Sequence, residues 1–151
     1  MKRFIPDTAT INSDRDYFLS GDTFIKVDSN INRGLNEASS IKRLNHKYIQ
    51  KYVDSYVKEN KHFLVTEFFK GDSLETTRLT QEEKYIVCVQ IFEVFSYLLE
   101  NDTVHGDINV SNILFDGEKI LLIDFEMCNK KTGYEDLHGP PWGVLDTISR
   151  I

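Results

Sequence analysis

The stretch from His105 to Asp124 constrains this chain more than any other. It reads His105-Gly106-Asp107-Ile108-Asn109-Val110-Ser111-Asn112, then two apolar runs, Ile113-Leu114-Phe115 and Ile120-Leu121-Leu122-Ile123, around Asp116-Gly117-Glu118-Lys119, and then Asp124-Phe125-Glu126. Asp-Gly between two short apolar runs is a strong hairpin signal, because a tight primed turn needs positive φ at its centre. Folding the two runs back on each other brings Asn112, before the first strand, close to Asp124, after the second. Asp107 lies on the loop beside them. Three oxygen-bearing side chains then face one cleft, an arrangement suited to a hard divalent cation and a phosphoryl group.

Composition narrows the class. A chain of 151 residues, 40% hydrophobic and 12% aromatic, is long enough for one domain or two very small lobes with a packed core. Its formal charge of −6 argues against direct nucleic-acid binding, which needs clustered Lys and Arg. Cys88 and Cys128 form no C-x-x-C pair, so neither disulfides nor a zinc site is expected, and the default is a reducing, cytoplasmic setting. Met1 to Pro6 lacks the apolar core of a signal peptide, and no run approaches a membrane span.

Residues 1–16 read as polar and irregular, with a loop at Asn12-Ser13-Asp14-Arg15-Asp16. Tyr17 to Leu19, a turn at Ser20-Gly21-Asp22, and Thr23 to Val27 read as strand, turn, strand. Glu37, Ile41 and Leu44 fall on one face of a helix expected from about Leu35 to Asn45, with Gly34 just before it. Strands are expected over 48–56 and His62 to Thr66, either side of a polar turn at Lys58-Glu59-Asn60-Lys61. Thr80-Gln81-Glu82-Glu83 is a capping box opening a long helix to about Asn101. On it Tyr85, Cys88, Phe92, Phe95 and Leu99 lie at helical spacing, widened by Val89, Ile91, Val94 and Leu98.

The central stretch resembles the catalytic and metal-binding loops of the protein-kinase-like superfamily, whose H-R-D-x-x-x-x-N and D-F-G signatures match at Asp107, Asn112, Asp124 and Phe125. The resemblance implies a minimal α+β kinase-like fold, with a small antiparallel sheet and one helix over 1–69 and a truncated helical lower lobe over 70–151. It implies Mg²⁺ and ATP as cofactors. Asp107 would orient the attacking hydroxyl and accept its proton, while Asn112 and Asp124 hold the metal. Lys26, within Phe24-Ile25-Lys26-Val27, would contact the nucleotide phosphates, the alternative being an exposed lysine on an edge strand. Glu37 would pair with Lys26, the alternative being a solvated helix charge. His46-Lys47-Tyr48-Ile49 looks like the family's H-P-N-I turn without its proline. Leu64 to Leu74 resembles the strand and hinge of the family: Thr66 at the back of the adenine pocket, Glu67, Phe68 and Phe69 offering hinge backbone, and Asp72 reaching the ribose.

The chain also departs from the pattern. No G-x-G-x-x-G precedes Lys26, and the loop from Ser13 to Asp16 carries two carboxylates. Asn109 stands where Ser/Thr kinases carry lysine, and Glu126 where D-F-G ends in glycine. In these respects the chain resembles Rio-type kinases, the small kinase of the tRNA threonylcarbamoylation complex, and aminoglycoside and choline phosphotransferases. Only 27 residues follow Asp124, few for a helical lower lobe; Gly139-Pro140-Pro141-Trp142 looks like the end of an activation segment, and Val144 to Ile151 reads as a short helix. The implied activity is phosphoryl transfer to Ser or Thr of a protein, with a small-molecule kinase or a non-catalytic pseudokinase module as alternatives. A second copy of the chain or a partner protein is expected to cover the apolar long helix.

Overall fold

The computed structural model describes residues 2–3, 14–131, 135–138 and 143–151; the Gly139 to Trp142 segment lies outside them. Five antiparallel strands form the first sheet: β1 (Lys2–Arg3), β2 (Arg15–Ser20), β3 (Thr23–Asp28), β4 (Tyr52–Lys58) and β5 (Lys61–Glu67), in the order β1-β2-β3-β5-β4. The expected loop at Asn12 to Asp16 is thus corrected at its C-terminal end, where Arg15 and Asp16 already belong to β2 and pair with Asp28 and Val27. Polar side chains had suggested a turn, but here they are accommodated on a strand. The β4–β5 turn places Glu59 and Asn60 at φ of 52° and 61°, the doubly left-handed geometry of a two-residue hairpin loop.

Helix α1 (Ile31–Arg43) packs against this sheet and starts one turn earlier than expected. Asn30 caps it by accepting a hydrogen bond from the Arg33 amide. Gly34, read from the sequence as lying before the helix, sits inside it. The reason is steric: a Cβ there would stand 2.5 Å from the His62 ring on β5.

The second half is built around α2 (Gln81–Glu100), which opens with the expected capping box between Thr80 and Glu83. Beside it lie β6 (Asp72–Ser73), β8 (Ile113–Phe115) and β9 (Ile120–Leu122) in one sheet, and β7 (Thr103–Val104) paired with β10 (Asn129–Lys130) in another. A short α3 (Val144–Ser149) follows and packs on α2. The buried face of α2 is Val87, Ile91, Val94, Phe95 and Leu98. Of the expected face Phe95, Ile91, Val94 and Leu98 are buried, while Tyr85, Cys88, Phe92 and Leu99 of the stripe are not, because a helix apolar nearly all round does not reveal from spacing which side its neighbours take. Tyr85, Val89 and Phe92 remain exposed.

One continuous core joins both halves: Ile41, Leu44 and Leu64 from the first, Ile91, Leu98, Ile113, Leu122 and Phe125 from the second. The backbone joins them too, since the Leu122 amide donates to Tyr48 O at 2.7 Å and the Gln50 amide donates back to Leu122 O at 3.3 Å. No helix among the described residues is long and apolar enough to cross a membrane.

Candidate active site

The β8–β9 hairpin creates the site. Its strands pair from Ile113–Leu122 to Phe115–Ile120, and Gly117 takes a φ of 102° in the turn, where the Asp116 carboxylate accepts from the amides of Glu118 and Lys119. At the open end the Ile123 amide donates to Asn112 O at 2.9 Å, which puts Asn112 next to Asp124. Asp124 itself has a φ of 65°, an uncommon conformation for a residue other than glycine that turns the chain sharply at the end of the hairpin.

The loop before the hairpin is held from several sides. The Asn112 amide group donates to both Asp107 O and Asp107 Oδ2, each at 2.9 Å, and the Asn109 amide group donates to Asp107 Oδ1 at 3.0 Å. Asn109 also accepts hydrogen bonds from the amide and hydroxyl of Ser111. Burial pushes the Asp107 carboxyl up from its usual range, against the hydrogen bond from Asn112 that pulls it down. His105 is fully buried; its Nε2 contacts Ile123 O at 2.9 Å and its ring meets Phe125 edge to face. Gly106 has a φ of 89°, and a Cβ there would lie 2.9 Å from Met127 O, so this loop has no room for the arginine of H-R-D.

Sequence reasoning missed Asp136. Its carboxylate accepts from the His105 amide at 2.7 Å and the Gly106 amide at 2.9 Å, clamping the backbone just ahead of Asp107. A contact to bare backbone some thirty residues away leaves no spacing signal.

Lys26 stands on β3, between β2 and β5, only 8% exposed; the edge-strand alternative fails on both counts. Its Nζ lies 2.9 Å from Glu37 Oε1, 3.5 Å from Asp124 Oδ1 and 3.6 Å from Glu126 Oε2. Burial pulls the ammonium down, but the carboxylates of Glu37, Asp124 and Glu126 together push it well above the ordinary lysine range. Glu37 is 2% exposed, so it is no surface charge, and its other oxygen accepts from the Phe125 amide at 3.0 Å. Burial raises the Asp124 carboxyl, and Lys26, His105 and Arg15 together more than offset it, leaving Asp124 below the usual range.

A cavity of about 520 Å³ is lined by Phe24, Glu67, Phe68, Phe69, Asp72 and Leu121 among others, and Lys26, Glu37, Asp107, Asn112 and Asp124 are not part of its lining. Its volume is within the size range of small-ligand sites. Thr66, opposite Phe24 across the sheet, is buried and is not part of the lining; its hydroxyl has no hydrogen-bond partner among the described residues. The structure therefore brings Lys26, Glu37 and Asp124 into contact, sets Asp107 against Asn112, and places Glu67, Phe68, Phe69 and Asp72 around the cavity. The donor set fits Mg²⁺: the Asn112 amide nitrogen is committed to Asp107, which leaves its carbonyl oxygen to face a cation together with the ionised Asp124, and hard oxygen donors are what that ion takes.

A sheet carrying an ion-paired lysine and glutamate, packed on a long helix and a hairpin with Asp107 and Asp124 at its open end, is the arrangement of the protein-kinase-like class. Residues 23–141 match the family model of the protein kinase domain, and the chain belongs to that family. Among curated relatives, the chain is 31% identical over 108 residues to Maternal embryonic leucine zipper kinase of Xenopus tropicalis, covering 68% of this chain and 17% of that protein. It is 28% identical over 126 residues to Serine/threonine-protein kinase PAK 5 of Rattus norvegicus, covering 77% and 18%. It is 23% identical over 105 residues to Probable serine/threonine-protein kinase YbdM of Bacillus subtilis, covering 66% and 41%. The matched region spans less than half the length of each of these relatives.

Proposed function

We propose that this chain is a Mg²⁺·ATP-dependent phosphotransferase acting on Ser or Thr of a protein, with residues 1–69 and 70–151 as two lobes about the cleft. The observation that carries the reading is the buried contact of Lys26 with both Glu37 and Asp124. Burying a lysine against the buried Glu37 and the half-buried Asp124 costs several kcal/mol of desolvation per buried ion, by order of magnitude, a cost that packing alone gives no reason to incur. In this reading Lys26, held by Glu37, contacts the phosphates, and the backbone of Glu67 to Phe69 takes the adenine with Thr66 behind it. Asp72 meets the ribose. Asn112 and Asp124 hold Mg²⁺, which supplies charge neutralisation on the phosphates. Asp107, its carboxylate oriented by Asn109 and Asn112, accepts the proton of the attacking hydroxyl.

Positioning and electrostatics do most of the work in phosphoryl transfer, so a compact cleft is sufficient in principle. The test is transfer of labelled γ-phosphate to protein and small-molecule acceptors, with and without Mg²⁺. Asp107→Asn is expected to keep ATP binding and lower turnover by on the order of 10²-fold or more, the scale of a lost general base. Wild-type protein that binds ATP but transfers phosphate to no acceptor would leave a pseudokinase module in its place.

A second reading, a small-molecule kinase of the aminoglycoside or choline type, is favoured by one observation. Gly106 at positive φ and Glu126 after Phe125 are both built into the packing of the site, so the H-G-D and I-D-F-E features are not incidental. Phosphorylation of an amino alcohol or aminoglycoside in place of a protein would select it. In either reading a second copy of the chain or a partner protein covers the exposed side of α2.

A further inference from the structure

In the absence of a glycine-rich loop before Lys26, the nucleotide phosphates need another source of contacts. Arg15 supplies one. The β2–β3 register sets Tyr17 opposite Lys26, and side chains two apart on a strand share a face, so Arg15 points to the same side of the sheet as Lys26. Its Nη2 lies 2.7 Å from Glu126 Oε1, while Glu126 Oε2 lies 3.6 Å from Lys26 Nζ and 3.8 Å from Arg33 Nε.

One carboxylate is thus bracketed by a guanidinium and an ammonium, the pair of groups that also suits a phosphate. The Glu126 backbone is pinned from behind, since its carbonyl accepts from the Asn36 side chain on α1 at 2.8 Å. Its side chain alone reaches into the cleft, beside Asp124. The fit is loose on one side: Glu126 Oε2 has no hydrogen bond despite its two cationic neighbours, and the buried Arg15 Nε has no partner among the described residues. Arg33 is satisfied elsewhere, by two 2.7 Å bonds to Asp28. Among the described residues Arg15 has no second carboxylate contact of that kind, and it is the cation placed to change partners.

We propose that Arg15 is a nucleotide-phosphate contact of this cleft, and that Glu126 occupies the phosphate position between Arg15 and Lys26 until polyphosphate displaces it. The proposal rests on reading the cleft as a nucleotide site. It makes the two members of one ion pair act in opposite directions, which a merely structural bridge does not do.

The experiment is calorimetric titration of the full chain with Mg²⁺·ATP, Mg²⁺·tripolyphosphate and adenosine, with thermal melting as a check on folding. Glu126→Gln, which keeps the shape and removes the charge, is expected to tighten ATP and tripolyphosphate by roughly tenfold and leave adenosine unchanged, the scale of one charged hydrogen bond. Arg15→Gln is expected to weaken the same two ligands by a similar factor, again without effect on adenosine, and Arg15→Lys to recover part of the loss. Both substitutions moving polyphosphate affinity in the same direction, or neither moving it, would overturn the proposal while leaving the nucleotide site intact. If Arg15→Gln does not fold, the sign of the Glu126→Gln effect decides alone. Binding of ATP by Glu126→Gln but not by wild type would support the displacement strongly; binding by neither would overturn this inference and the reading it rests on.

Discussion

At the residue scale, function and stability pull against each other at Asp124. A φ of 65° costs a residue with a Cβ roughly 1–2 kcal/mol, less for Asp and Asn, whose short polar side chains bond locally. Replacement by alanine would therefore mix lost chemistry with added strain. Asp124→Asn keeps the shape and the tolerance for that conformation, and is expected to melt close to wild type while losing Mg²⁺-dependent ATP binding in calorimetry. His62, on β5 under Gly34 of α1, offers a second handle. It is 1% exposed, and neither ring nitrogen has a partner among the described residues. Burial holds its pKa below the usual value, although the nearby carboxylates of Glu37 and Asp28 act the other way. A neutral imidazole is thus favoured in the folded state, and its contribution is complete above the unfolded-state pKa of about 6.5. As the pH drops below that value the unfolded chain takes up a proton first, and stability falls until the folded-state pKa is passed. Urea midpoints should decline from pH 7 toward pH 5, and His62→Leu should flatten that part of the profile.

At the element scale, α1 shows what spacing reveals and what it hides. Glu37 and Ile41 were legible as inward positions because a 3.6-residue period places them there whatever the helix bounds are. The helix start was not legible, because Gly34 reads as a break unless the His62 ring above it is known. Gly→Ala inside a helix ordinarily stabilises by about 1 kcal/mol. Here the new Cβ meets His62 at 2.5 Å, so Gly34→Ala is expected to destabilise by roughly 1–3 kcal/mol, the scale of core overpacking. In a urea-unfolding cycle with His62→Ala only part of that loss should disappear, because the His62 Cβ also stands 2.6 Å from the new Cβ, whereas the double variant with His62→Gly should recover most of it. The β8–β9 hairpin was legible throughout, since Asp-Gly and two short apolar runs specify its register locally. Arg15 was not, because a strand beginning inside a polar run has no period long enough to detect. Asp136 was not either, because it acts on amides rather than on side chains.

At the scale of the whole molecule, the joined core and the Tyr48–Leu122 backbone contacts make the cleft walls one packed body, and the question left is the outer side of α2. Tyr85 is 73% exposed, with Val89 and Phe92 following at i+4 and i+7 on the same face. The stripe is nearly symmetric about Val89, so a two-fold axis through that residue sets Tyr85 of one copy against Phe92 of the other, as a self-complementary contact requires. Three side chains a side bury far less than the roughly 800 Å² per partner of a stable interface, so the expected dimer is weak and concentration-dependent. Sedimentation velocity over a wide concentration range should show the coefficient rising with concentration in wild type and constant in Phe92→Glu. The same substitution should leave the melting temperature almost unchanged, because Phe92 lies outside the core, whereas Ile91→Ala, one residue along and buried, should cost about 2–5 kcal/mol. A wild-type coefficient that does not vary with concentration would mean that Tyr85, Val89 and Phe92 simply face water.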